Sequence, residues 1–198
     1  MSCSESGQKM KGDLQMRTQR RSVLVLMMSL AFFALPFVSF AAESCAKEAK
    51  IARAMEAAPD SVTKNATIID ADGTVLRQGT NGWQCLPASA VGTYPMCIDE
   101  VWMRFMTAVP KKADFKTEKV GIAYMLAGDD NINNADPYDT KPDPGEVWVQ
   151  EGPHLMIIVP DPAMLEGLPD DPYKGGPYVM WKGTPYAHIM IPVGPREK

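Results

Sequence analysis

The sequence predicts a single α+β domain, with a mainly antiparallel sheet of about five to seven strands and two or three packed helices. Helical spacing is confined to the front half of the chain, whereas the rest consists of short β-prone runs bounded by Pro or Gly. Twelve prolines fall between Pro137 and Pro195, too many for a long helix. The 198 residues are 45% hydrophobic and 22% charged, which allows a globular core and excludes a disordered tail, a coiled coil or a collagen-like chain.

Two segments have the composition and spacing of helices. Residues 43–58 are rich in Ala and contain neither Gly nor Pro, which favours a helix. In residues 98–109, apolar side chains follow one another at spacings of three, one, three, one and three, the pattern of one helix face. Asp99 and Glu100 suit the first turn of this second helix, and Pro110 ends it.

Short β-prone runs account for the remaining elements. The runs 66–69 and 74–76 flank an Asp-Gly turn and predict a hairpin. The polar, proline-containing segment 129–145 is predicted to be a loop between strands, not a linker between domains. Further strands are predicted at residues 120–126, 146–149, 154–159, 177–181 and 188–193.

Residues 1–41 are predicted to be a signal peptide. A basic stretch after Met16 leads into apolar residues 23–40, and small residues precede a cleavage point after Ala41. The domain then comprises residues 42–198 and is predicted to be periplasmic or secreted from a bacterium. Residues 1–15 are polar and do not resemble the start of a signal, which suggests Met16 as the true start.

A membrane anchor is the alternative to a cleaved signal. The apolar stretch 23–40 has 18 residues, near the lower limit for spanning a bilayer, but Pro36 and the small residues after it favour cleavage. We therefore expect no stable membrane insertion after cleavage. Arg20 and Arg21 fit twin-arginine export as well as an ordinary basic start, so the export route stays open.

The charge of the exported domain excludes one class of partner. Loss of residues 1–41 would leave 15 basic and 22 acidic residues, a formal charge of -7. An acidic chain without clustered Lys or Arg lacks the positive surface that nucleic acids require. We predict no nucleic-acid partner, and the sequence leaves open whether the partner is a small ligand, a metal ion or a protein.

Three cysteines remain after cleavage, and two of them are predicted to form a disulfide. Cys85 and Cys97 enclose a loop that contains Pro and Gly, and such pairs are usually oxidised in the periplasm. A thiolate metal site is the alternative, but neither C-x-x-C nor a paired zinc spacing is present. The sequence leaves the state of Cys45 open.

The two histidines of the chain lie in segments of similar form, His-apolar-Met-Ile-x-Val, at residues 154–159 and 188–193. Because residues two apart on a strand point to the same face, each segment presents an imidazole beside a thioether. If the strands are neighbours in register, two nitrogen and two sulfur donors converge, from His154, Met156, His188 and Met190.

Imidazole and thioether together suit copper, above all Cu(I), which makes copper the candidate cofactor. The H-x-M pattern resembles the local ligand motif of some periplasmic copper carriers. The alternative is structural, because both segments are apolar on both faces, as buried central strands are, and Met is a common core residue. The distance between the two rings separates the interpretations, since imidazoles more than about 8 Å apart cannot share one ion.

A weaker candidate for a cation site is the acidic segment 129–136. Oxygen-bearing side chains fall there at near-alternate positions, as calcium loops have them: Asp129, Asn131, Asn133 and Asp136. However, Asn134 occupies the position of the EF-hand glycine, and Thr140 stands at the twelfth position instead of Glu. A solvated acidic turn is therefore the default interpretation.

Enzyme motifs are lacking, although a site assembled from distant residues would not be visible in the sequence. The chain contains no G-x-S-x-G, G-x-G-x-x-G or P-loop, and a cysteine-histidine pair would use a cysteine of the predicted disulfide. A binding module is the other class, since loop aromatics stack on sugars or grip peptides. The candidates near turn residues are Trp83, Trp148 and Trp181, which would equally fill a small core.

Three stretches, Gly79–Trp83, Gly152–Met156 and Gly176–His188, resemble those of a family of exported bacterial hypothetical proteins with no assigned function. The likeness covers most of the exported chain. It implies export and carries no reaction or ligand with it. The sequence therefore predicts an exported binding protein, with a copper site of two H-x-M strands as the specific hypothesis. A carbohydrate- or peptide-binding module, with structural histidines, is the alternative.

Overall fold

The structure is a computed structural model that describes residues 37–88 and 92–196. The chain forms two compact units, Met1–Ala46 and Lys47–Lys198. Of the first unit only the beginning of helix α1 (Phe37–Met55) is described, so the predicted signal peptide lies mostly outside the described residues. Within the described ranges, no helix is long and apolar enough to cross a membrane.

The second unit is organised around one sheet of eight strands, with a separate sheet of two. The eight strands lie in the order β2-β1-β3-β4-β5-β8-β10-β9, and β6 pairs with β7. Among the described strands every pairing is antiparallel except that of β1 with β3. The bounds are β1 (Thr67–Ile69), β2 (Val75–Arg77), β3 (Gln84–Leu86), β4 (Met96–Ile98), β5 (Gly121–Met125), β6 (Asn131–Asn133), β7 (Trp148–Gln150), β8 (His154–Ile158), β9 (Tyr178–Met180) and β10 (His188–Pro192).

The predicted α+β class with a mainly antiparallel sheet is confirmed, but the main sheet has eight strands and not about five to seven. Strands β3 and β4 flank the cysteine loop, and β6 lies within the segment 129–145, for which the sequence predicts a loop. Strand β6 (Asn-Ile-Asn) is mostly polar and lies in a proline-containing segment, and β3 and β4 border the Pro- and Gly-containing cysteine loop, so these short runs carry the composition of loops. The described helices are α1, the short α2 (Asp60–Thr63) and α3 (Glu100–Ala108).

Helix α3 begins where Asp99 caps it. One carboxylate oxygen of Asp99 accepts hydrogen bonds of 2.9 Å from the backbone amides of Val101 and Trp102. The other oxygen accepts a hydrogen bond of 2.7 Å from the amide of Ile122 in β5. The cap therefore also joins the start of the helix to the sheet, and it stabilises the helix by about 1 kcal/mol.

Different helices cover the two faces of the sheet, as neighbouring residues of β4 show. Adjacent side chains on a strand point to opposite faces. Cys97 packs with Ala54 of α1, whereas Ile98 packs with the apolar face of α3. The close approach of α3 requires a glycine in β5, because a Cβ atom on Gly121 would lie 2.7 Å from the Cγ1 of Val101. One core thus lies between α3 and the sheet, and a second lies under α1.

A disulfide joins Cys85 of β3 to Cys97 of β4, as the sequence predicts. The two residues are directly opposite each other in the register of these strands, and neither is exposed. The bond belongs to the core under α1, where Ala54 packs against it. Its presence is compatible with an extracellular location.

Replacing both Cys85 and Cys97 with Ala should lower the free energy of unfolding by about 3 kcal/mol, because the unfolded chain regains the freedom of an open loop. Urea denaturation of the oxidised protein and of the double variant measures the difference. A reducing agent should destabilise the wild type and leave the variant unchanged. Equal stability of the oxidised wild type and the variant would show that the bond has no such role.

Candidate metal centre

Strands β8 and β10 are antiparallel neighbours, and Met156 lies directly opposite Met190 in their register. His154 stands two residues before Met156, and His188 stands two residues before Met190. Cross-strand partners share a face of the sheet, as do residues two apart on one strand. The four predicted donors therefore share the face that α3 covers, and each is at most 6% exposed.

The direction of the strands determines which donors can meet. Each histidine is the first residue of its strand, so His154 and His188 lie at opposite ends of the paired segment. At 3.4 Å per residue their Cα atoms are roughly 13 Å apart along the strands. The side chains of Met156 and Met190 project from facing positions only about 5 Å apart. The register thus favours a site of two thioethers and one imidazole over one that all four donors share.

Both imidazoles are held in one tautomer by the backbone. The Nδ1 atom of His154 lies 2.7 Å from the carbonyl oxygen of Gly152, and that of His188 lies 2.9 Å from the carbonyl oxygen of Tyr186. Because a carbonyl oxygen only accepts hydrogen bonds, Nδ1 carries the proton, and Nε2 of the neutral ring keeps a lone pair. No described residue bonds to either Nε2 atom, although both atoms are buried.

Burial keeps both rings neutral. It lowers the pKa of His188 to about 4, with a smaller lowering from His154, while the hydrogen bond to the Tyr186 carbonyl acts in the opposite direction. Burial also lowers the pKa of His154, against the effects of the Gly152 carbonyl and the charge of Glu151. A neutral imidazole is the form that binds metals, so neither ring needs to lose a proton first at pH 7.

Three aromatic rings surround the imidazole of His188. Their centroids lie 5.3 Å (Trp102), 5.8 Å (Phe105) and 5.1 Å (Trp181) from its own, each nearly perpendicular to it. Trp102 and Phe105 project from α3 and are at most 2% exposed. The rings pack around His188, which is 1% exposed, and so exclude water from it.

Trp181 is held beside His188 at a cost in backbone strain. Its φ of 55° lies in the left-handed region, which costs a non-glycine residue on the order of 1 kcal/mol or more. Its indole Nε1 donates a hydrogen bond of 2.9 Å to the carbonyl oxygen of Asn133. Its own carbonyl oxygen accepts one of 2.7 Å from the hydroxyl of Thr184. These bonds and the ring packing keep the indole in place.

A cleft of about 1110 Å³, here called the large cleft, lies next to this centre. Phe105, Ile158 and Ala187 belong to its lining. Phe105 contacts the ring of His188, and Ala187 precedes His188 in the chain. One layer of residues therefore separates the cleft from the imidazole. Charged residues of both signs line it as well: Glu100, Arg104, Asp114, Lys116, Glu118 and Lys119.

The oxygens of the predicted calcium segment mostly bond to nearby backbone amides. Asp129 accepts a hydrogen bond from the next amide, and burial raises its pKa to about 7. The side-chain oxygen of Asn133 accepts bonds from two amides, and a carboxylate oxygen of Asp136 accepts one, while Asn131 is exposed. Counting His, Cys, Asp and Glu in the described residues, no group of three or more is arranged to hold a metal ion. Calcium binding stays a prediction.

The three tryptophans predicted as ligand aromatics lie in different surroundings. Trp83 packs against Tyr124 with ring centroids 5.4 Å apart, in the core under α1. Trp148 donates its indole hydrogen bond to Glu146. Trp181 contacts His188. None of the three lines the large cleft, so they do not form one aromatic platform there.

Two features of the centre are not visible in the sequence patterns. Trp102 and Phe105 lie on the buried face of α3, as their spacing in the sequence predicts. That spacing does not indicate that they contact a histidine. Glu151 is only 2% exposed and raises the pKa of His154. The sequence contained one indication of this contact, since Glu151 comes only three residues before His154.

Comparison of the chain with protein-family models, with curated proteins and with solved structures found no match. The resemblance to exported bacterial proteins therefore stays a prediction.

Acid should destabilise the protein through His188. Above pH 6.5 the ring is mostly neutral in both the native and the unfolded protein. Between pH 6.5 and about 4, the ring is protonated in the unfolded chain but stays neutral in the native protein. The free energy of unfolding should fall over this window by about 3 kcal/mol. Urea denaturation of wild type and His188→Leu from pH 7.5 to 4.5 measures the contribution as a difference in slope.

Comparing the wild type with His188→Leu removes the contributions of other titrating groups to the pH dependence of stability. Asp129, whose raised pKa makes stability fall as pH rises from 3.8 to about 7, titrates in both proteins and cancels. Parallel pH profiles for wild type and His188→Leu would mean that the native ring is not kept neutral by burial.

Proposed function

We propose that this protein is an exported binding protein for a soft monovalent metal ion, with Cu(I) as the candidate, held by His188, Met156 and Met190. One observation carries the proposal. The Nε2 atom of His188 is buried without a hydrogen-bond partner among the described residues, and Met156 and Met190, at facing positions of β8 and β10, belong to the same buried face of the sheet. A buried nitrogen lone pair without a partner normally costs stability, and a metal ion would remove that cost.

The chemistry of the donors supports a soft ion. Thioether sulfur and imidazole nitrogen bind Cu(I) well, whereas Mg²⁺ and Ca²⁺ require oxygen ligands. All three donors are neutral, so the charge of the bound ion would remain uncompensated in the core. A monovalent ion is then favoured over a divalent one, because the free-energy cost of burying an ion rises steeply with the magnitude of its charge. The rings of Trp102, Phe105 and Trp181 would stabilise the remaining positive charge.

The surroundings of the two histidines favour His188 as the nitrogen ligand. The large cleft comes within one layer of residues of His188, and Phe105 and Ala187, which form that layer, would have to move for an ion to reach the ring. The chain just before His154 is tied to the end of β10, because the amides of Val193 and Gly194 both donate hydrogen bonds to the carbonyl oxygen of Pro153. We assign His154 a structural role, with its Nδ1 atom bonded to the backbone.

A location outside the cytoplasm is part of the proposal. The disulfide between Cys85 and Cys97 and the predicted signal peptide both support it. Burial in the core would protect a reduced Cu(I) from water and oxidants in such a compartment. The alternative, a carbohydrate or peptide binder that uses Trp83, Trp148 and Trp181, predicts ligand binding that is indifferent to His188.

Titration with Ag(I), a stand-in for Cu(I) that does not change its oxidation state, tests the donor set. One equivalent should quench tryptophan fluorescence, because Trp102 and Trp181 lie within 5.3 Å of the His188 ring centroid to centroid. His188→Gln and the double variant Met156→Leu/Met190→Leu should each bind at least about tenfold more weakly. Competition with a Cu(I) chelator should give the same order of affinities.

The matched control is His154→Gln, which changes the other buried imidazole and should keep the wild-type affinity. Near-ultraviolet circular dichroism confirms that each variant has folded before it is titrated. Uptake of Ag(I) and Cu(I) by the methionine double variant equal to that of the wild type would refute the proposal.

A further inference from the structure

The large cleft has features of a ligand site that metal binding does not use. Its volume of about 1110 Å³ is close to the upper end of the range of small-molecule sites. None of the proposed metal donors lines it. Its wall includes Arg104 of α3 together with Phe115 and Thr117, which follow the helix in the chain. The position of the Arg104 side chain determines which ligands suit the cleft.

The guanidinium of Arg104 lies in the wall of the cleft and is accessible to a ligand. Arg104 is exposed, and its Nη2 atom donates a hydrogen bond of 3.2 Å to the hydroxyl of Thr117. The guanidinium carbon lies 5.9 Å from the ring centroid of Phe115. Because Phe115 and Thr117 also line the cleft, these two contacts place the charged end of Arg104 at the cleft surface.

The two contacts also orient the guanidinium. The hydroxyl of Thr117 accepts a hydrogen bond of 3.1 Å from the amide of Lys119 and donates one of 2.9 Å to its carbonyl oxygen. The ring of Phe115 packs edge-on against that of Phe105, with centroids 5.3 Å apart. A guanidinium has five N–H donors, and four of those of Arg104 have no partner among the described residues. Neighbouring donors of this kind bind a carboxylate through two parallel hydrogen bonds.

The positive charge of Arg104 is not paired within the described part of the chain, where no carboxylate forms an ion pair with it. Glu100, one turn earlier on α3, forms an ion pair with Lys119 instead. Three other charged residues of the lining are exposed, whereas their neighbours that contact Arg104 are partly buried: Asp114, Lys116 and Glu118. Water screens such exposed charges. The wall of the cleft therefore carries one unpaired positive charge.

Apolar surface lies beside this charge. Met103, Phe115 and Val159 line the cleft and are partly exposed, and the lining prolines Pro162 and Pro185 are exposed. Covering these side chains with an apolar ligand removes apolar surface of both partners from water, which favours binding in proportion to the area covered. The cleft thus combines one cation with an accessible apolar surface.

We propose that the large cleft binds a small organic carboxylate with an apolar body, such as a medium-chain fatty acid, whose carboxylate pairs with Arg104. The carboxylate accepts two hydrogen bonds from the guanidinium, and the alkyl chain lies on the apolar lining. A neutral analogue keeps only the apolar contacts, and a second negative charge on the ligand would have no partner in the wall. The site uses none of the metal donors, so it goes beyond the metal-binding function and does not depend on it.

NMR titrations of the ¹⁵N-labelled, metal-free protein with octanoate, octanamide and butyrate test the proposal. Octanoate should move the Nε resonance of Arg104 and the amide resonances of Phe115 and Thr117. It should bind at least about tenfold more tightly than octanamide, which has the same chain without the charge. It should also bind at least about tenfold more tightly than butyrate, which has the charge but a much shorter chain.

The variant Arg104→Gln removes the charge from the cleft and should make octanoate and octanamide bind equally. The matched control is Arg53→Gln. Arg53 projects from α1, its guanidinium carbon also lies 5.9 Å from the centroid of an aromatic ring, that of Tyr94, and it does not line the cleft. This control should keep the preference of the wild type for octanoate.

Three results would each overturn the proposal: no octanoate-induced shift at Arg104, equal affinities of octanoate and octanamide for the wild type, or a preference for octanoate that survives in folded Arg104→Gln. If that variant does not fold, salt decides on the wild type. Raising NaCl from about 20 mM to about 500 mM should weaken octanoate at least about threefold without weakening octanamide, and an unchanged octanoate affinity would contradict the site. His188, Met156 and Met190 are intact in both variants, so either proposal can fail alone.

Discussion

The pairing of β8 with β10 is the constraint on which the candidate site depends. Because the strands are antiparallel with Met156 opposite Met190, two thioethers meet at the middle of the pair and the histidines stand at its ends. A shift of one residue would turn His188 and Met190 to the other face, away from α3. The same register places His188 against the aromatic side chains of α3, and Asp99 in turn joins that helix to β5. The register of the sheet, the cap of α3 and the ring contacts together thus fix the position of the His188 imidazole.

The two histidines of the core each keep one buried nitrogen without a hydrogen-bond partner among the described residues. A buried imidazole usually bonds through both nitrogens, yet the backbone satisfies only Nδ1 of His154 and His188. Trp181 also keeps a left-handed backbone to hold its ring at His188. Violations of local rules that cluster in one place are typical of functional sites, because stability alone would remove them. The ion pair of Glu151 and Arg196, just before β8, also has buried polar atoms without a hydrogen-bond partner among the described residues.

Long, regular signals in the sequence predict most of the fold and only part of the site. Helices α1 and α3, the β1–β2 hairpin, strands β5, β8, β9 and β10 and the disulfide all fall close to their predicted positions. Strands β3, β4 and β6 were not predicted because β6 is mostly polar and β3 and β4 border a Pro- and Gly-containing loop, so their conformation depends on the neighbouring strands. The repeated H-x-M segments identify the donors, but not the direction of the strands. That direction follows from the return of the chain through β9, which brings β10 between β8 and the sheet edge. It separates His154 from His188, and no local motif encodes it.

We infer that Nε2 of His188 is buried and unprotonated, so that its lone pair can bind a metal ion together with Met156 and Met190. Long-range ¹H–¹⁵N correlation spectra of the labelled protein at pH 7 report the tautomer of each imidazole directly. The account predicts that both rings carry their proton on Nδ1, and that one equivalent of Ag(I) moves the Nε2 resonance of His188 while that of His154 stays in place. A proton on Nε2 of His188, or no change in either ring on addition of Ag(I), would contradict it.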